Sequence, residues 1–358
     1  MNFTRREFTK VTALATAALA FPNIVFGKAE EELILGHGDF KYKIVKNWGV
    51  ENLIKTPVAD CHEMVQDSKN RLIFCTTEVK NNIIILDKKG KLINSWGHDY
   101  PGAHGLTLNN ANGEEFLFLT DTDKGEVYKL TLDGQLLLTI KYPYESGIYK
   151  DPKVERFSPT ETAVAPNGDI YVADGYGSSY ILVYDSAGKF KNIFGGKTIE
   201  GDEKLIEAHG VCIDTRDKNN PRVIATSRSE CGFKYYTMDG QFIESTYYKG
   251  SFVCRPIIKG ENLFFPVIWS EYGENKINPA WQSRTGYFLV FDKNNKLISA
   301  PGVDAIEYEG DKVKHMHQSP KVKGTFMHCH DLCVDDEDSI YIPQWNSDKT
   351  FPLKLEKV

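Results

Sequence analysis

The sequence predicts an all-β fold, a six-bladed β-propeller whose N-terminal strand closes the last blade. Three observations lead there. Short β-rich runs recur in a fixed order along the chain. The turns that close successive units fall near Gly90, Gly134, Gly188, Gly240 and Asn295, at spacings of 44 to 55 residues. The last unit is one strand short, and a run near the N-terminus matches what is missing. Four strands per repeat of about 40–50 residues is the mark of a propeller blade.

Composition agrees. The 358 residues carry 43 Lys+Arg against 49 Asp+Glu, a formal net charge of −6, and are 41% hydrophobic and 26% charged. Those are values of a globular chain, not a disordered one. No basic excess exists to neutralise phosphates, which argues against a nucleic-acid partner. Tyr (18), Phe (20) and Gly (29) outnumber Met (5), which favours strands and turns over helices. Length alone gives a prior of two or three domains; the repeat replaces it with one closed ring.

The first element is an address. Thr4-Arg5-Arg6-Glu7-Phe8-Thr9-Lys10 precedes a mostly apolar run from Val11 to Phe26 that includes Thr12, Thr16, Pro22 and Asn23. That run is short and polar beside the roughly 20 apolar residues a membrane span needs. The paired arginines resemble a twin-arginine export signal, the alternative being an ordinary secretory signal. Gly27 and Ala29 suit cleavage, so residues 1–29 are expected to leave and residues 30–358 to form the propeller. The resemblance implies the twin-arginine translocase as a partner during export. It also implies a periplasmic or secreted location, with no membrane span after cleavage. Without residues 1–29, 39 Lys+Arg face 48 Asp+Glu, a net charge of −9.

The repeat units follow in order. Ala59 to Val65 leads to Asn70–Phe74 and Ile83–Asp87. Gly102 to Leu108 leads to Phe116–Asp121 and Val127–Leu130. Ser158 to Val164 leads to Asp169–Asp174 and Ile181–Tyr184. Glu207 to Ile213 leads to Arg222–Thr226 and Phe233–Tyr236. The fifth unit, Phe252-Val253-Cys254-Arg255 through Leu263-Phe264-Phe265 to Tyr287–Asp292, is the weakest, with a long loop over 269–284. The sixth, Met327 to Val334, leads to Ser339–Pro343 and ends at Val358 after about three strands. Tyr42-Lys43-Ile44-Val45-Lys46-Asn47-Trp48-Gly49 resembles the outer strand Lys91–Gly97, and is expected to supply the missing strand.

Four units place a histidine at the start of the inner strand: His62, His104, His209 and His330. Thr160 takes that place in the third. Equivalent positions of a closed ring point to one axis, so these side chains should converge. Neutral imidazoles with an open coordination position make a catalytic metal site. Taken singly, each histidine reads as a core or capped residue, and no HExxH or CxxC spacing adds to the signal. Cys212 and Cys333 fit structural packing between blades. Cys61 and Cys329 precede histidines in units that are neighbours once the ring closes, so a disulfide between them is an option in an oxidising compartment. His315, His317 and His328 cluster before the last unit and read as a solvated loop, the alternative being the rim of the metal site; Lys312 to Lys323 reads as an exposed basic loop.

The third unit, Phe157-Ser158-Pro159-Thr160-Glu161-Thr162-Ala163-Val164, followed by Asp174-Gly175-Tyr176, resembles NHL-type propellers, and within them the peptidyl-α-hydroxyglycine α-amidating lyases. So do the starts His104-Gly105-Leu106, His209-Gly210-Val211 and His330-Asp331-Leu332. The resemblance spans roughly residues 59–358. It implies zinc held by His104, His209 and His330, and a structural calcium taking the Leu106 carbonyl and the Asp331 side chain. Tyr176 would lie over the zinc as base, and Arg228 of Thr226-Ser227-Arg228 would bind a substrate carboxylate. The implied reaction cleaves the N–C bond of a carbinolamide, giving an amide and glyoxylate from a small-molecule or peptide substrate at the channel mouth. Two positions depart from the family pattern. His62 stands where a first-blade arginine is expected, which makes it a third candidate catalytic residue, and Ser227 replaces an acid. Two other readings remain open. One is a non-catalytic propeller binding a peptide, glycan or protein; the other is a polysaccharide-active enzyme using His and Tyr without metal.

Overall fold

Many strands of this chain are apolar on both faces. Ile83–Leu86, Tyr180–Tyr184 and Tyr287–Phe291 are buried at every position. A strand of that kind must be covered on both sides by other layers. The computed structural model meets that requirement with six radial sheets. It describes residues 32–270, 284–310, 312–314 and 316–358. The export signal, its cleavage point, most of the fifth-unit loop and His315 lie outside the described residues.

Each of the first four blades is a four-stranded antiparallel meander. Their inner strands are Cys61–Gln66, Ala103–Ala111, Glu161–Val164 and Val211–Asp214. The apolar core is divided into six wedges, one between each pair of neighbouring blades. The wedge between the first two blades holds Ile73, Ile85, Leu106 and Leu119. That between the fourth and fifth stacks Phe233 on Phe265, with ring centroids 4.3 Å apart. Every blade is thus buried on both faces by its neighbours, and the ring stands only if it closes.

Closure is as expected from the sequence. Phe40–Val45 pairs antiparallel with Leu353–Lys357, from Tyr42 against Lys357 to Val45 against Lys354. The strand begins two residues before the expected run and stops before Asn47 and Gly49, both with positive φ (60° and 74°). One strand was not expected: Ile34–His37 pairs outside Phe40–Val45, so the last blade has five. The wedge sealed this way places Trp48 against Tyr341 (4.9 Å) and Phe74 against Phe351 (5.6 Å).

The fifth blade is irregular where its sequence was weakest. Its inner edge is split into Ser251–Val253 and Ile257–Lys259, both paired with Asn262–Ser270. Pro256 has no N–H to donate and sits in the gap. The option of a Cys61–Cys329 disulfide is not realised, since none of the seven cysteines forms a disulfide. The Cys61 thiol instead faces the Thr350 carbonyl at 3.6 Å. Cys333 packs in the wedge between the last and first blades, and Cys212 against that between the fourth and fifth.

Candidate functional site: two rings on the propeller axis

Where the chain enters each inner strand, six equivalent positions carry His62, His104, Thr160, His209, Cys254 and His330. The next residues are Glu63, Gly105, Glu161, Gly210, Arg255 and Asp331. The axis therefore bears two stacked rings, one rich in imidazoles and one in charge. Both glycines answer to space. A Cβ on Gly105 would lie 2.6 Å from the Thr160 carbonyl oxygen, and one on Gly210 would lie 2.5 Å from the Cα of Arg255. Side chains there would push neighbouring blades apart.

The four histidines are buried and in mutual contact. Ring centroids are 4.5 Å apart for His62–His104, 4.6 Å for His104–His330 and His62–His330, and 4.9 Å for His104–His209 and His209–His330. Burial drives the pKa of His104, His209 and His330 well below the ordinary imidazole value and that of His62 down to about 4, with the Arg228 charge adding to the effect. All four are neutral at physiological pH, the state in which imidazole binds a metal. Backbone carbonyls orient two of them. His104 Nδ1–H donates to Thr160 O at 2.8 Å, and His330 Nδ1–H to His62 O at 3.0 Å. Both turn an Nε2 lone pair inward, the usual second-sphere device of a metal-binding histidine. His209 Nδ1 is buried with no hydrogen-bond partner. These residues fit a metal ion. Two groups bring three donor atoms within 4.8 Å of one another: His62, His104 and His330, and His209, Cys254 and His330. The expected His104, His209 and His330 are brought together, and His62 and Cys254 join them.

Tyr176 covers this cluster. Its hydroxyl lies 3.2 Å from both His104 Nε2 and His209 Nε2, and accepts from Arg228 Nη2 at 3.2 Å. Burial raises the Tyr176 pKa, and Arg228 opposes that by favouring the phenolate. Arg228 is itself buried and ion-paired to Glu207 through Nη2, while its Nε has no partner. Burial pushes the Glu207 carboxyl up, but Arg228 more than offsets this and leaves it below its ordinary value. The acid meeting Arg228 thus comes from position 207, not 227, where the sequence has serine. Outside Arg228 and Tyr176 opens a cleft of about 450 Å³, completed by Ile268, Trp269 and Trp345.

The second ring corrects one expectation. The Leu106 carbonyl and the Asp331 carboxylate do converge, but on the guanidinium of Arg255 and not on a site for calcium. Arg255 Nε donates to Asp331 Oδ1 (2.9 Å) and Nη2 to Asp331 Oδ2 (2.7 Å) and Met64 O (3.2 Å). Nη1 donates to Leu106 O at 3.3 Å, and Glu63 and Glu161 each lie 3.6 Å away. A cation already fills the space, so the residues do not fit calcium. Burial pushes Asp331 up to about 7 and holds Glu63 well above its ordinary value, Arg255 opposing both.

Sequence reasoning missed Cys254, Arg255, Glu63, Glu161, Glu207 and Trp345 as site residues. For Cys254-Arg255 the signal existed: aligned with His209-Gly210 and His330-Asp331, they fall on the two rings. The irregular fifth unit hid that register.

No protein-family model matches the chain. It is 33% identical to peptidyl-α-hydroxyglycine α-amidating lyase 1 of Drosophila melanogaster over 289 residues, 75% of this chain and 46% of the fly protein. It is 28% identical to a probable amidating lyase of Caenorhabditis elegans over 159 residues, 41% of this chain and 44% of that protein. Human NHL repeat-containing protein 3 is 24% identical over 170 residues, 44% and 49% of the two chains. The chain spans less than half the length of each of these relatives. Among solved structures, a gluconolactonase of Xanthomonas campestris has a TM-score of 0.54 at 12% identity, covering 89% of both chains. A luciferin-regenerating enzyme also has a TM-score of 0.54, at 11% identity over 88% of this chain and 95% of that one. These two share the fold. The protein is a six-bladed β-propeller distantly related to the amidating lyases and to NHL repeat proteins.

Proposed function

We propose that this propeller is an exported, metal-dependent lyase that cleaves the N–C bond of a carbinolamide, as the names of its amidating relatives suggest, with zinc as the ion. The observation that supports this most is the cluster of four buried, neutral histidines, two of which meet the Tyr176 hydroxyl. Dry polar clusters are costly, and a binding surface needs no convergent imidazoles. A non-catalytic propeller would use the aromatic cleft alone.

His104, His209 and His330 would hold the zinc, which when bound would bind the substrate hydroxyl and lower its pKa. Tyr176 Oη, in the phenolate form that the Arg228 charge favours, would take the hydroxyl proton. The electron pair left by the O–H bond would become the second bond of the glyoxylate carbonyl, the C–N pair would leave on the amide nitrogen, and that nitrogen would take back the proton held by Tyr176. Arg228 would orient the substrate carboxylate, sharing its guanidinium with Glu207. Trp269 and Trp345 would carry the apolar part of the substrate and exclude water. Export by the twin-arginine route would place this chemistry in the periplasm or outside the cell.

Protein purified without an affinity tag and loaded with zinc would be given an α-hydroxyglycine peptide, and glyoxylate measured. Release that disappears in His209→Ala together with the metal supports the reading. Fully zinc-loaded protein that releases none rejects the amidating activity.

A further inference from the structure

We propose that Cys254 is a thiolate ligand of the same metal ion, so that the axial site is a mixed histidine–cysteine centre selective for a thiolate-preferring divalent cation. The inference rests on the metal reading above and adds to it the ligand that sets ion preference.

Three independent observations carry it. The first is register. Cys254 occupies, in the fifth blade, the position that His62, His104, His209 and His330 occupy in theirs. It is not a stray cysteine but the fifth blade's member of a donor ring. The second is distance. Its Sγ and one donor nitrogen each of His209 and His330 lie within 4.8 Å of one another, all three fully buried. Around zinc, with bonds of about 2.3 Å to sulfur and 2.0–2.1 Å to nitrogen, such donors stand roughly 3.5 Å apart. Small side-chain rotations close that gap, and His209 Nδ1 has no hydrogen bond to give up.

The third is what surrounds the sulfur. The thiols of Cys61 and Cys75 donate to backbone carbonyls, of Thr350 at 3.6 Å and of His104 at 3.2 Å. Cys254 Sγ instead accepts from Arg228 Nη1 at 3.7 Å. A positive donor aimed at sulfur suits a thiolate. On coordination the S–H bond breaks, its electron pair goes to the metal, and the proton leaves to solvent.

A thiolate shifts preference toward zinc, cobalt or copper and away from magnesium, calcium and manganese. His330 belongs to both donor groups, so it is the common ligand. Arg228 links the metal's sulfur to the tyrosine hydroxyl, since its two terminal nitrogens donate one to each.

The test is cobalt substitution of the full propeller, read by absorption. Wild type is expected to show visible cobalt bands and a near-ultraviolet thiolate-to-cobalt charge-transfer band. Cys254→Ala should keep the visible bands, lose the charge-transfer band, and bind zinc at least about tenfold more weakly. Visible bands without charge transfer in wild type would overturn the ligand assignment and leave the metal reading standing. No uptake of cobalt or zinc by wild type would overturn both. Should the variant fail to fold, X-ray absorption at the zinc edge of the wild type decides. A sulfur shell at about 2.3 Å supports Cys254, and a shell of nitrogen and oxygen only refutes it.

Discussion

The guanidinium of Arg255 is locked to the carboxylate of Asp331 by two parallel hydrogen bonds, 2.9 and 2.7 Å long, on the axis of the propeller. This pair, with Glu63 and Glu161 beside it, puts a protein-borne cation among three buried carboxylates from the first, third and sixth blades. Removing one partner of a buried ion pair leaves uncompensated charge, at a cost of about 3–5 kcal/mol. Arg255→Met is therefore expected to unfold at distinctly lower temperature than wild type. The carboxylates left behind offer oxygen donors that suit calcium. Calcium should raise the melting temperature of the variant, and neither calcium nor EGTA should move that of wild type. Loss of wild-type stability in EGTA would refute the claim that arginine has taken the cation's place.

Tyr176 touches two imidazoles and a guanidinium through one oxygen, and that oxygen is the expected proton acceptor. Tyr176→Phe should keep the fold and the bound metal while turnover falls by about 10²–10⁴, the usual weight of a general base. Zinc content by elemental analysis and glyoxylate release on one preparation check this. A variant as fast as wild type would remove Tyr176 from the chemistry.

Arg228 is tested by a conservative change. A charge-assisted hydrogen bond is worth about 1.5–3 kcal/mol, so Arg228→Lys, which loses the planar fork, should raise KM for a carboxylate substrate about 10- to 100-fold. For a substrate whose carboxylate is amidated the two proteins should differ little. An equal penalty on both substrates would assign Arg228 to holding Tyr176 and Glu207 and not to binding the carboxylate.

Asp174 gives a pH signature away from the metal donors. Burial raises its pKa from an ordinary 3.8 to about 6, although Tyr149, Ser158 and Ser178 all donate to it. The folded state then holds a proton that the unfolded state has released. The contribution of this group to stability should fall as pH rises from 3.8 to about 6 and level off above, a loss of about 3 kcal/mol. Urea unfolding of wild type and Asp174→Asn from pH 3.5 to 7.5 should show that change in the difference between the two proteins, because the buried histidines, which favour the opposite slope, are common to both. Equal slopes in both proteins would mean that Asp174 titrates normally.

Much of the architecture was legible in the sequence. The repeat of short β runs gave six blades, because a strand buried on both faces must be apolar throughout and each turn needs its own glycine or asparagine. The incomplete last unit and Tyr42–Val45 gave closure, because an open edge in a propeller must be paired. Ile34–His37 was missed, since nothing in a four-residue run says what it pairs with. His62, His104, His209 and His330 were found by register alone. Cys254 and Arg255 share that register but sit before Pro256 in a blade whose inner edge is split, and their unit lacked the histidine that marked the others.

By itself the sequence determined the blade count, the closing strand and that four histidines share one register facing the axis, because these depend on periodicity, which is local and additive along the chain. Only the tertiary structure decided what those residues do to one another. It set Glu207 against Arg228, brought the Tyr176 hydroxyl to His104, His209 and Arg228 at once, and drove Arg255 into the place a calcium was expected to take. The first lies within one blade and the others join blades distant in the chain, and whether a carboxylate meets a metal or a guanidinium depends on which side chain fills a space too narrow for both.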